Sequence, residues 1–310
     1  GISLVTVEKI YFVFVFMAGG LSMYYLVSTL LQGEKRRLAA LTAAFFWMFN
    51  PFVMNYMWHG LMHLELYALF PLIFALFIKG LKGQNSFPII VLISTISVLF
   101  LSHRGANVTE MAVYALILFL YLTLYVVGKR KNKREVINAL KVCGFLGGVW
   151  LAFNLWWVLP QISVVTQQIS SSLSVTEIVG VTTESTLELE SSRASLLNVS
   201  RLGGIWAYNS VWKGDPFYTY APLYSTTIFQ LIGFLIPLLA FSALLKGRNN
   251  LHVLYFGLLV LIGLFLMNGL QPPFGDAFAW MFESIPLFSI FRHFQLRFGP
   301  ILTLGYAVLL

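Results

Sequence analysis

The feature that most limits this chain is a succession of long apolar runs nearly free of charge. They cover Ile10–Leu31, Ala39–Met57, Leu64–Ile78, Phe87–Ser102, Met111–Val127, Val142–Leu159, Ser225–Leu245, Leu251–Met267 and Phe298–Leu310. Hydrocarbon offers a backbone no hydrogen-bond partners, so a segment crossing it must be a helix or part of a closed barrel. Barrel strands alternate polar and apolar residues, and these runs are apolar throughout. The expectation is an all-α, polytopic transmembrane helical bundle of about nine spans with a small extracytoplasmic segment. The ninth run is shorter than the ~20 residues a span needs, so the chain reads as part of a longer protein. Only 10% of residues are charged and 58% are hydrophobic, against about 25% charged in soluble domains.

The loops alternate in charge. Lys35, Arg36 and Arg37, then Lys79 and Lys82, then Lys129 to Arg134, and finally Lys246 and Arg248 form one basic set. Basic loops stay on the cytoplasmic side, which places Gly1 and the other loops outside. The acids give an independent check: ten of twelve carboxylates fall on or near the outer side, with only Glu34 and Glu135 among the basic loops. This arrangement accounts for the net charge of +8 without nucleic acid as a partner. The lone cysteine, Cys143, lies in an apolar run and says nothing about redox compartment. The expected organisation is residues 1–160 as six helices, 161–223 as a polar cap, and 224–310 as three more helices. Loops as long as the middle segment usually carry function. The sequons at Asn107 and Asn198 both fall on the expected outer side.

Ionisable groups at membrane depth are costly, which makes each a candidate for function. In Trp58-His59-Gly60-Leu61-Met62-His63-Leu64-Glu65 the two histidines sit four apart on one helix face. That spacing suits a metal, a hydrogen-bonded interfacial pair, or a phosphate or sugar contact, and the pattern lacks the glutamate of a zincin helix. His103 and Arg104 stand at the outer end of a run, where a guanidinium either grips phosphate or reaches into solvent. Asn198-Val199-Ser200-Arg201 leads to Gly204 and Trp206, combining glycines for close approach with an indole that stacks on sugars or anchors at the interface. Arg292, His293 and Arg297 precede the last run on the outer side, where an anionic lipid phosphate would explain the cations. No Walker-type loop, nucleophile elbow or dinucleotide fingerprint is present in the sequence.

The order of several short motifs resembles the GT-C superfamily of membrane glycosyltransferases, nearest its AftD-like arabinofuranosyltransferases and YfhO-like multi-spanning proteins. These motifs are Asn50-Pro51-Phe52-Val53 ahead of the loop with His59, and Leu69-Phe70-Pro71-Leu72. Asn154 to Pro160 with Trp156 and Trp157 follows, then Ser195-Leu196-Leu197-Asn198 with Gly204-Ile205-Trp206, and Ile285-Pro286 with Phe291-Arg292. The resemblance implies transfer of a sugar from a polyprenyl-phosphate donor to a glycan, lipid or protein acceptor in the cell envelope. It implies that the catalytic acidic loop would precede Gly1, leaves room for a divalent cation, and makes Arg292 and Arg297 lipid-phosphate contacts. Relatives often carry Glu after the Phe-Arg pair, whereas this chain has His293. The competing readings are a transporter or flippase for lipid-linked glycans, which should show repeats and mid-membrane polar groups, and a scaffold subunit.

The expected topology is testable in a Cys143→Ser background. Single cysteines at His59 and Arg292 should react with a membrane-impermeant maleimide from the same side of sealed vesicles. One at Lys131 should react from the other, and labelling of 59 and 292 from opposite sides would rule the topology out.

Overall fold

A computed structural model describes residues 3–56, 61–83, 108–170, 183–285 and 288–310. Among them, seven helices are long and apolar enough to cross a membrane: Leu4–Leu30, Arg36–Asn55, His63–Leu81, Thr109–Gly128, Lys133–Pro160, Thr227–Gly247 and Leu251–Asn268. The chain is therefore a helical membrane protein. Of the nine expected spans, Phe87–Ser102 lies outside the described residues. The last is a 16-residue helix, Phe294–Leu309. The helix from Lys133 also runs to Ser170, ten residues past the expected start of the polar segment. Pro160 sits inside it; proline removes one backbone bond but need not end a helix whose neighbours continue it.

The chain divides into two compact units, one formed by Gly1–Phe49 with Met57–Ser170 and the other by Asn50–Tyr56 with Ser171–Leu310. In the first, helices α1 (Leu4–Leu30), α2 (Arg36–Phe49) and α4 (Leu61–Leu81) pack together. Small residues let them approach: a Cβ added to Gly19 would lie 3.3 Å from that of Ala68, and Gly20 abuts the Met48 thioether. Trp47 stacks on Tyr67 with centroids 3.8 Å apart, while the Tyr67 hydroxyl donates to the Trp47 carbonyl at 3.1 Å. Tyrosine thus spends its polar tip on a backbone acceptor that lipid could not satisfy. Helix α5 (Val108–Gly128) meets α4 through Phe70 against Tyr114 and Phe74 edge-on to Tyr121. With α6 (Lys133–Ser170) these two helices surround an apolar cavity of about 670 Å³.

The second unit contains the short helix α3 (Pro51–Tyr56) and everything described after Ser170. The polar segment folds as α7 (Thr183–Ser191), α8 (Leu196–Ser200), a 3-10 turn at Trp206–Tyr208, a hairpin of β1 (Val211–Trp212) with β2 (Asp215–Pro216), and α9 (Ala221–Tyr224). The hairpin is antiparallel, with Val211 opposite Pro216. Apolar helices follow: α10 (Thr227–Gly233), α11 (Leu235–Gly247) and α12 (Leu251–Asn268), then α13 (Gly275–Ser284), a 3-10 turn at Phe288–Phe291 and α14 (Phe294–Leu309).

The tightest packing in this unit is α12 against α14. Each helix offers a glycine to the other. A Cβ on Gly263 would come within 2.9 Å of the Leu302 backbone, and one on Gly305 within 2.9 Å of the Phe256 carbonyl. Where lipid is as apolar as leucine, such backbone approach and its dispersion contacts drive helix association. The polar segment is tied to these helices by buried groups. The Gln295 amide donates to the carbonyls of Glu190 and Gly204 at 3.1 and 2.6 Å. The Tyr306 hydroxyl donates to the Ser200 carbonyl at 2.9 Å.

Because two of the three atoms nearest a Cβ on Gly305 are backbone and cannot move aside, Gly305→Ala should destabilise the protein by about 1–3 kcal/mol. Gly144→Ala, with no atom within 4 Å of the added Cβ, should be neutral or slightly stabilising. Thermal unfolding in detergent compares the two; equal effects would contradict the packing.

Candidate functional site

The site is built where α7 ends. The chain leaves that helix through Ser192, Arg193 and Ala194, and Ser195 caps α8 by accepting from the Asn198 backbone N–H at 3.4 Å. After α8, Leu202 adopts a left-handed φ of 60°, a conformation that costs a branched side chain about 1–2 kcal/mol. Its side chain is buried, which holds it there. The turn closes with the Gly203 N–H donating to the Asn198 carbonyl at 2.8 Å. These bends bring Arg193 and Arg201 onto one polar pocket of about 330 Å³. Gly233 lets α10 lie against the Arg201 stem, where an added Cβ would be 3.2 Å from the arginine Cβ.

Both guanidiniums are held by neutral acceptors. Arg193 donates through Nε to the Gly203 carbonyl at 3.1 Å, to the Ser225 hydroxyl at 3.3 Å and to the Asn209 side-chain carbonyl. Its charged plane lies over the Tyr208 ring, 5.1 Å from the centroid, a favourable cation–π placement. Arg201 donates to the Asn198 side-chain oxygen at 2.8 Å and to the Tyr224 carbonyl at 3.5 Å. Asn198 also donates to the Arg193 carbonyl at 3.1 Å, so one amide ties both arginines and the nitrogen of the Asn198 sequon is already engaged. No carboxylate lines the pocket among the described residues. Arg201 is only 7% exposed. Burial lowers the pKa of both arginines, and the neighbouring charge of Arg193 lowers that of Arg201 further. Guanidinium stays charged through such shifts, since its ordinary value lies far above neutrality.

A tyrosine network supports the floor. Asn55, fully buried at the end of α3, donates to the Tyr208 hydroxyl. It accepts from the hydroxyls of Tyr218, on its backbone carbonyl at 2.6 Å, and Tyr220, on its side-chain oxygen at 2.9 Å. Burial pushes the Tyr208 phenol well up, with the neighbouring Tyr224 and Tyr220 adding to it, so the ring beneath Arg193 stays neutral.

Three residues before Arg193, Glu190 is buried and contacts His293, with Nδ1 and Oε1 3.2 Å apart. The His293 side chain is 45% exposed. Thus the expected residues separate into groups. Arg201 joins the pocket, and Trp206 packs on Phe217 at 5.7 Å and on the Ile205–Tyr208 aromatic cluster. His293 pairs with Glu190. Arg292 and Arg297 are half-buried and not in the pocket lining. In the first unit, His63 contacts the buried Glu110 carboxylate on α5, and Glu65 is half-buried on α4. His59, His103 and Arg104, like the Asn107 sequon, lie outside the described residues. Among the described residues no three His, Cys, Asp or Glu side chains gather as metal ligands do. Sequence reasoning missed Arg193, Asn55 and Glu190.

Set against models of known protein families, curated proteins and solved structures, the chain has no match.

The Asn55 network sets a graded expectation. Asn55→Leu strands the buried Tyr208 hydroxyl, removes the acceptor of Tyr220 and should cost more than about 2 kcal/mol. Tyr220→Phe, at a residue 37% exposed, should cost under about 1 kcal/mol. Denaturation midpoints of the purified variants give the ranking, and the reverse order would exclude Asn55 as the keystone.

Proposed function

We propose that this chain is a membrane glycosyltransferase, moving a sugar from a polyprenyl-phosphate donor to a glycan, lipid or protein acceptor on the extracytoplasmic face. One observation carries the reading. A buried carboxylate, Glu190, paired with the half-exposed His293 imidazole, lies three residues along the chain from a pocket of two guanidiniums that no carboxylate lines among the described residues. Glycosyl transfer from a lipid phosphate needs a base for the acceptor hydroxyl and positive charge for the departing phosphate. His293 is the accessible member of the pair. It takes the hydroxyl proton, the acceptor oxygen bonds to the anomeric carbon, and the bond from that carbon to the phosphate oxygen breaks with its electrons on the phosphate. Glu190 stabilises the imidazolium. Arg193 and Arg201 take up the charge of the leaving group, and Arg292 and Arg297 supply further positive potential for an anionic lipid.

The membrane setting fits a donor whose lipid tail cannot leave hydrocarbon. The basic loops support an extracytoplasmic site through the positive-inside bias, as does the order of motifs that resembles the GT-C superfamily.

Reconstituted full-length protein supplied with a labelled sugar on polyprenyl phosphate should transfer label to endogenous acceptor. His293→Ala should slow transfer by roughly 10²-fold or more, the usual worth of a positioned base. Transfer at the wild-type rate in that variant would remove His293 from the reaction, and no transfer under any donor would defeat the reading as a whole.

A further inference from the structure

We infer that the Arg193–Arg201 pocket is a binding site for a doubly charged phosphoryl group, a phosphate monoester rather than a carboxylate or a singly charged diester. This deepens the proposed reaction and rests on it for the identity of the natural ligand, but the binding chemistry is carried by the pocket alone.

The argument is one of unmatched charge. Two guanidiniums share a pocket of about 330 Å³, and every partner they have among the described residues is neutral. One of them, Arg201, is more than nine-tenths buried. A buried cation is ordinarily paired with an acid, and two cations held near each other repel. Here no carboxylate among the described residues lines the pocket to compensate that repulsion. Each guanidinium carries five N–H donors; Arg193 uses three on protein acceptors and Arg201 two. The remaining donors sit beside the Asn209 amide, whose NH₂ makes no hydrogen bond among the described residues, and among the Ser195 and Ser225 hydroxyls. Phosphoryl groups offer three acceptor oxygens and nearly two charges at neutral pH, and planar guanidinium forks match them in bidentate geometry. A carboxylate would answer one fork and leave the other bare. The ligand chemistry is shared by a lipid headgroup and by free phosphate, and the test separates these sources.

The experiment uses purified full chain and reads thermal unfolding and calorimetric binding. In detergent, inorganic phosphate and pyrophosphate are titrated against acetate at constant ionic strength. In nanodiscs, phosphatidic acid, a monoester, is compared with phosphatidylglycerol, a diester. Stabilisation by phosphate or pyrophosphate but not acetate is expected if the pocket admits soluble ligand; stabilisation by phosphatidic acid alone assigns it to a lipid headgroup. Either supports the inference. Arg201→Gln should weaken binding about tenfold or more. Asn198→Asp is the sharper variant. It gives Arg201 a resident carboxylate in exchange for the hydrogen bond to the Arg193 carbonyl, so binding should be lost while Arg201 stays paired. No response to any phosphoryl probe, or a response that survives both Arg201→Gln and Asn198→Asp, overturns the inference. Binding that is present while sugar transfer is absent preserves it and defeats the glycosyltransferase reading instead.

Discussion

Hydrocarbon cannot hydrogen-bond, and nearly everything in this structure follows from where the chain does and does not have to obey that fact. Inside the apolar helices each backbone group is paired within its own segment, so packing is left to shape. Glycines meeting backbone at Gly263 and Gly305 and aromatic rings stacked between α2 and α4 are the devices such a solvent permits. Even the tyrosines among these helices turn their hydroxyls onto backbone carbonyls, as Tyr67 does at Trp47 and Tyr125 at Leu81.

The polar segment answers to the opposite rule. Its own core is a small cluster around Ile205, Tyr208 and Tyr218, so its form also depends on side-chain amides and hydroxyls satisfying backbone carbonyls. Asn198 and Gln295 do this from two elements, and the Tyr218 hydroxyl does it for the Asn55 carbonyl. Their number and placement leave two arginines fixed in orientation but unmatched in charge. That combination distinguishes a binding pocket from a solvated surface, where a guanidinium finds water and counterions and gains nothing from its neighbours.

The spans were legible because their signal is local: a run of apolar residues declares itself without reference to any other part of the chain. The site was legible only where local chemistry stood out. Arg201 was visible through its neighbouring glycines and tryptophan. Arg193 sits in Ser191-Ser192-Arg193-Ala194-Ser195, which reads as an ordinary polar linker, and its role depends on Ser225, 32 residues away. Asn55 lies in an apolar run and looked like part of a span, yet its tyrosine partners are 153 to 165 residues distant. His63 meets Glu110 from another helix, a contact that helical spacing along its own segment does not announce. Pairings made by the fold carry no periodic trace in the sequence.

The bond from Tyr306 to the Ser200 carbonyl joins a residue deep in the last helix to the one immediately before Arg201. A helix advances about 1.5 Å per residue, so sliding α14 by a single position would stretch that bond past any useful length. The axial setting of this buried helix and the place of a guanidinium at the pocket wall are consequently one mechanical variable, and whatever pushes on the helix is felt by the charge.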